Sequence, residues 1–131
     1  MRKLGLILIA ASTAGCMAQA PMGAEMTAAA ETAIAAETTG LTRGTPVDCI
    51  DQRGLAGPRA IAPGVLVFEG GGMLYINRSL GTCGDVNSRA VTFRSSTGRL
   101  CRGDVGQSFD PLTNIQGDFC TLGMFEPYRR R

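Results

Sequence analysis

Val65-Leu66-Val67-Phe68-Glu69 and Met73-Leu74-Tyr75-Ile76-Asn77 are separated by Gly70-Gly71-Gly72. Two runs of β-branched, aliphatic and aromatic residues around a glycine cluster are the pattern of a β-hairpin. A glycine-rich loop can also cradle phosphate, but that use needs a helix N-terminus or a lysine directly after it, and neither follows here.

The same punctuation continues outward. Ala90-Val91-Thr92-Phe93-Arg94 and Arg99-Leu100-Cys101-Arg102 flank Ser95-Ser96-Thr97-Gly98, which predicts a second hairpin with Val91 and Phe93 on one face and Thr92 and Arg94 on a wet one. A third pair runs from Val105 to Phe109 and from Ile115 to Leu122, turned at Asp110-Pro111. Val47-Asp48-Cys49-Ile50 and Ala60-Ile61-Ala62 add short strands, and Ser88 to Val91 is open to a short helical turn. The expectation is an all-β domain over residues 46–127, a small disulfide-braced barrel or sandwich of about six to seven short antiparallel strands.

Such a domain has a marginal core, and its cysteines bear on that. Cys49, Cys83, Cys101 and Cys120 are too far apart in sequence for C-x-x-C redox or zinc chemistry. In an oxidising compartment they read as two structural disulfides, with all three pairings open. The fifth, Cys16, is odd.

The N-terminus explains the odd thiol. Met1-Arg2-Lys3 and the apolar run from Leu4 to Ala14 have the layout of a secretory signal, too short to span a bilayer. Ala18-Gln19-Ala20 offers an ordinary cleavage site, but Pro21 would follow the cut. Thr13-Ala14-Gly15-Cys16 resembles the bacterial lipoprotein box, departing from it at Thr13, where leucine is usual. That resemblance implies a signal peptide over 1–15, an acylated (palmitate-bearing) Cys16 and a cell-envelope protein. Met17, with no Asp after the cysteine, implies the outer membrane, facing the periplasm. Free secretion or a soluble periplasmic protein is the alternative.

Residues 16–45 then read as a tether: from Met17 to Thr45 the chain has nine Ala and almost no large apolar side chain, with Glu25, Glu31 and Glu37 spaced by six. Met26 to Thr39 favours helix only weakly, through its alanines. Residues 128–131 read as a basic tail.

Charge excludes further classes. Of 13 Lys+Arg, Arg2 and Lys3 fall in the signal, leaving eleven Arg against eleven acids. A neutral mature protein has no cationic surplus for nucleic acid. Without His there is no Ser-His-Asp or Cys-His nucleophile and no His-ligated zinc.

Cys49-Ile50-x-x-Arg53, Val67-Phe68-Glu69 before a glycine-rich turn, Leu74-Tyr75-Ile76-Asn77, Cys83-Gly84, Thr97-Gly98-x-Leu100-Cys101 and Cys120-x-Leu122-Gly123-x-Phe125-Glu126-Pro127, in this order, resemble an uncharacterised family of small exported bacterial proteins, a domain of unknown function. The resemblance covers residues 49–127. Some members keep only the cysteines matching Cys83 and Cys120, which implies a Cys83–Cys120 bridge and hence Cys49–Cys101. Gly84-Asp85 stands where members have Pro-Gly, and Pro63-Gly64 where many have Asp-Asp. No activity comes with the resemblance.

Candidate chemistry is sparse. Asp48 and Asp51 bracket Cys49, while Asp85, Asp104, Asp110 and Asp118 fall in turns. Asp85-Val86-Asn87 is the nearest fragment to a calcium loop and lacks its other ligands. Ten Arg and no Lys follow Pro46, and arginine grips carboxylates or phosphates bidentately. Arg78, Arg94 and Arg99 are the candidate anion-binding residues, flanking two hairpins that would share a wet face together with Arg89 and Arg102. Two readings follow, neither needing a cofactor or metal. One is a non-catalytic structural or interaction module, anchored to the membrane by lipid and binding an envelope protein or polymer. The other is a small β-barrel binding an anionic small ligand through arginines.

Overall fold

The computed structural model describes residues 22–81, 83 and 90–130, with side chains described from residue 27. The signal segment, Cys16, Asp85-Val86-Asn87, and Ser88 and Arg89 of the Ser88–Val91 turn lie outside these residues, while Ala90 and Val91 are strand.

The hairpin at the glycines forms as expected. β4 (Val65–Gly70) pairs antiparallel with β5 (Met73–Arg78), Val65 opposite Arg78 and Gly70 opposite Met73. The loop between them is only Gly71-Gly72, with φ of 60° and 75°. Positive φ at both central residues is the type I′ requirement, which matches the twist of the flanking strands. Around this pair a five-stranded antiparallel sheet is ordered β1 (Leu41–Arg43), β10 (Phe125–Arg130), β5, β4, β3 (Arg59–Ala62).

β4 shows why the fold has three layers. Val65, Leu66, Val67 and Phe68 are all buried, so both faces of the strand are covered. Leu66 and Phe68 point into the larger core with Ile50, Phe93, Leu100, Leu122 and Phe125. Val65 and Val67 face the other way, with Ala62, Ile76, Ala30 and Ile34. The first core lies against two smaller sheets, β2 (Cys49–Asp51) with β7 (Arg99–Cys101), and β6 (Ala90–Phe93), β8 (Val105–Phe109) and β9 (Gln116–Thr121) in that order. The second core lies under α1 (Met22–Glu37). The all-β class holds as an open sandwich: among the described residues each sheet ends in edge strands and no barrel closes.

Phe125 is fully buried, with edge-on contacts to Phe68 at 5.5 Å and to Tyr75 at 6.5 Å between ring centroids. Beside it Asn77, also fully buried, donates Nδ2–H to the Gly123 carbonyl and accepts the Gly123 N–H through Oδ1, both at 2.9 Å. A Cβ at Gly123 would collide with the Arg78 carbonyl oxygen, so this close approach of two backbones requires glycine. Disulfides join Cys49 to Cys101 and Cys83 to Cys120. The first links direct register partners of β2 and β7. The second is buried in the larger core.

Four expectations are corrected. Residues 22–45 are not a bare tether. They supply α1, seated by Ala30 and Ile34, and β1, which pairs with β10 at Leu41–Arg130, Thr42–Arg129 and Arg43–Tyr128. The basic tail is likewise structured to Arg130, because β1 and β5 hold β10 between them. β6 and β7 do not form a hairpin: β6 pairs with β8, and β7 is drawn to β2 by the pairing that places Cys49 opposite Cys101. The described residues contain ten strands rather than six to seven, and β1 and β10, which lie in or run into the segments read as tether and tail, are the two that were not expected.

Candidate functional site

Two surfaces carry chemistry beyond packing, and the first is an ion-pair belt around α1. Glu31 takes a bidentate grip from Arg78, whose Nη1 and Nη2 reach its two carboxylate oxygens. Arg78 Nε also reaches Glu126 Oε1 at 3.4 Å, and Arg43 Nη2 reaches the same oxygen at 3.2 Å. At the other end of the helix, Arg59 donates to both oxygens of Glu37 at 2.7 Å and to Glu69 at 2.8 Å. Hydrogen bonds from Arg78 hold the Glu31 carboxyl below its ordinary pKa, and those from Arg59 do the same to Glu37.

This belt sets the acid response. A carboxylate with a lowered folded-state pKa stabilises the docked helix fully above its ordinary value, 4.5 for these two, and that contribution fades as pH falls through the folded value. Lowering the pH from about 7 to 5 leaves α1 seated, whereas acidification to about 3 loosens it before the disulfide-braced sandwich opens. Amide exchange at Ala30 and Ile34 against Val67 and Phe68 measures this. Equal protection of both sets throughout would contradict it.

The candidate anion-binding arginines are not brought together. Arg78 lies on β5 of the five-stranded sheet with its guanidinium committed to Glu31 and Glu126. Arg99 is exposed on β7, opposite Asp51 of β2. Arg94 follows β6, and Arg102 pairs with Asp48 at 3.3 Å. The shared wet face depended on a β6–β7 hairpin, and that pairing does not form. Asp51 instead serves Arg53, whose side chain and backbone N–H push its pKa down to about 2. A groove of about 610 Å³ between the end of α1 and the sheet is lined by Glu37, Leu41, Glu69, Leu74, Tyr128 and Arg130, and both of its acids already pair with Arg59. Among the described residues no group of three or more Cys, Asp or Glu is arranged to hold a metal ion.

The second surface is the outward face of β6–β8–β9, missed by the sequence reading. Val91, Phe93, Gly106, Ser108 and Cys120 turn inward and are buried. Strand alternation then turns Val105, Gln107 and Phe109 outward, flanked by Thr92 and by Phe119 and Thr121. None of these strand residues is charged, and the exposed Arg94, just past the end of β6, borders the face at the level of Val105. Phe119 is 63% exposed and Val105 55%. A shallow pocket of about 260 Å³ lies on this face between Thr92, Gln107, Phe109, Asn114 and Gln116, with Gln107 donating to Gln116 at 3.1 Å. The absence of Lys, Arg, Asp and Glu at alternate positions of 105–109 was the available signal.

Among the described residues no helix is long and apolar enough to cross a membrane. Compared with known proteins, the chain matches no protein-family model, no curated protein and no solved structure.

Proposed function

We propose that this protein is a lipid-anchored module of the bacterial cell envelope that works by binding rather than catalysis, held to the membrane at an acylated Cys16 and offering the β6–β8–β9 face to an envelope protein or polymer. The observation that carries the binding half is that face. A solvated sheet face ordinarily alternates to polar and charged residues, whereas this one exposes Phe119 and Val105 among uncharged amides and hydroxyls. The anchor half is supported by cysteine arithmetic: with Cys49–Cys101 and Cys83–Cys120 paired, Cys16 is the one cysteine of five left over. The signal-like N-terminus and the small residues before Cys16 support the same reading. Two or more acyl chains give stable anchoring where a single chain does not.

Expression of the full chain with its own leader in a bacterial host tests both halves. The protein is expected in the membrane fraction with acyl chains in its mature mass, and Cys16→Ser is expected to move it to the soluble fraction. A photoreactive phenylalanine analogue at position 119 is expected to give envelope adducts that the same group at Arg53 does not. A mature chain beginning unmodified at Pro21 defeats the anchor, and equal labelling from both positions defeats the binding face.

A further inference from the structure

α1 changes what an anchor at Cys16 would mean. A free tether over residues 17–45 would let the domain range roughly 100 Å from the lipid. With α1 beginning at Met22, only residues 17–21 separate it from Cys16, a reach of about 20 Å at most. The helix has a fixed direction on the sheet. Its Glu31 meets Arg78 at the last residue of β5, and its Glu37 meets Arg59, which also pairs with Glu69 toward the glycine turn. Met22 lies nine residues before Glu31, so the helix start projects about 13 Å from that level, past the end of the sheet where Arg78 sits.

That end is built from three chain reversals packed on one another. Ser79 N–H donates to the Gly64 carbonyl at 2.8 Å, Leu80 exchanges hydrogen bonds with Thr121 at 2.9 Å, and Gly123 packs against the Arg78 carbonyl. Pro63-Gly64, Ser79-Leu80-Gly81 and Leu122-Gly123-Met124 contain no charged residue. Leu80 is 74% exposed and Met124 39%, and Val105 lies beside Leu80 through Thr121. The opposite end of the sheet carries Glu37, Glu69, Arg129 and Arg130.

We propose that the Leu80–Met124 end of the domain rests on the surface of the bilayer that holds the anchor, so that the module stands on the membrane with its binding face upright. This rests on the lipoprotein reading. The short connection supplies proximity, and the exposed aliphatic side chains of these loops can enter the headgroup region while the neighbouring Arg78–Glu31–Glu126 and Arg102–Asp48 ion pairs stay at its polar surface.

The chain contains no Trp, so single substitutions give clean reporters. Leu80→Trp and Met124→Trp report on the proposed contact, and Leu112→Trp, at the 94% exposed tip of the β8–β9 turn, on a site away from it. Each full chain is expressed with its leader, purified from membranes and reconstituted in phosphatidylethanolamine–phosphatidylglycerol vesicles containing brominated lipid. The expected result is a blue shift and loss of most emission for Leu80→Trp and Met124→Trp, with Leu112→Trp unquenched. Acylated protein with the first two unquenched, or with Leu112→Trp quenched as strongly, overturns the orientation and leaves the anchor standing. Protein without acyl chains overturns the anchor, and this contact with it.

Discussion

Replacing Cys83 and Cys120 together by alanine is expected to unfold the domain at moderate temperature. The bridge closes a loop of sequence separation 37, and removing that constraint releases about 4 kcal/mol of chain entropy into the unfolded state. Both cysteines are also almost fully buried in the larger core, so truncation leaves a void there in addition. A small domain has a total stability of about 5–15 kcal/mol, so a loss of this size shifts the melting temperature by roughly 15–30 °C. The Cys49–Cys101 bridge, of separation 52, has a comparable entropic contribution but ties the half-buried β2–β7 pair, so its removal lacks the core void. Thermal unfolding of the two double variants measures the difference. A Cys83/Cys120 variant no less stable than the Cys49/Cys101 one would show that the buried position adds nothing.

The second large effect is expected at Asn77. Its amide bonds both Gly123 backbone groups, and its side chain is fully buried. Asn77→Leu keeps roughly the volume but takes the partner from the half-buried Gly123 N–H and carbonyl, each at about 1–3 kcal/mol, for a total of about 2–5 kcal/mol. Ser79→Ala is the comparison: its hydroxyl gives one bond to the Gly64 carbonyl, which also accepts the Ser79 N–H, so little should change. Denaturant midpoints of the two variants test the contrast. Similar midpoints would mean that water satisfies Gly123 once Asn77 is gone.

How much of this could be read from sequence varies element by element, for physical reasons. The β4–β5 and β8–β9 pairs are local, and their turns announce themselves through Gly71-Gly72 and Asp110-Pro111. The β6–β7 pair was misread because a good turn at Ser95–Gly98 does not oblige its flanks to pair with each other. A long-range partner for each, β8 and β2, outweighed it. The helix was hidden because Ala30 and Ile34 are a thin apolar stripe on an alanine background. The clue to it lay elsewhere, in Val65–Phe68. Four consecutive buried residues require cover on both faces, and the alanine-rich segment 26–39 is the stretch of chain with a helical bias to provide it. The disulfide pairing implied by the family resemblance is the pairing found. The uncharged face of β6–β8–β9 escaped notice because single exposed apolar residues in sequence say nothing until register sets them side by side.

The placement of α1 and β1 ahead of Cys49 also has a mechanical side. Tension entering from an N-terminal attachment meets first the helix, then the three pairs of β1 on β10, and then a covalent stop where Cys49 is bonded to Cys101. Everything from Met22 to Asp48 can peel away under load while the bridged sandwich beyond it remains closed. Those 27 residues, drawn straight, add roughly 90 Å of line. The fold thus stores a leash in its own outer layer, short at rest and long under strain, with the disulfide as the knot at its end.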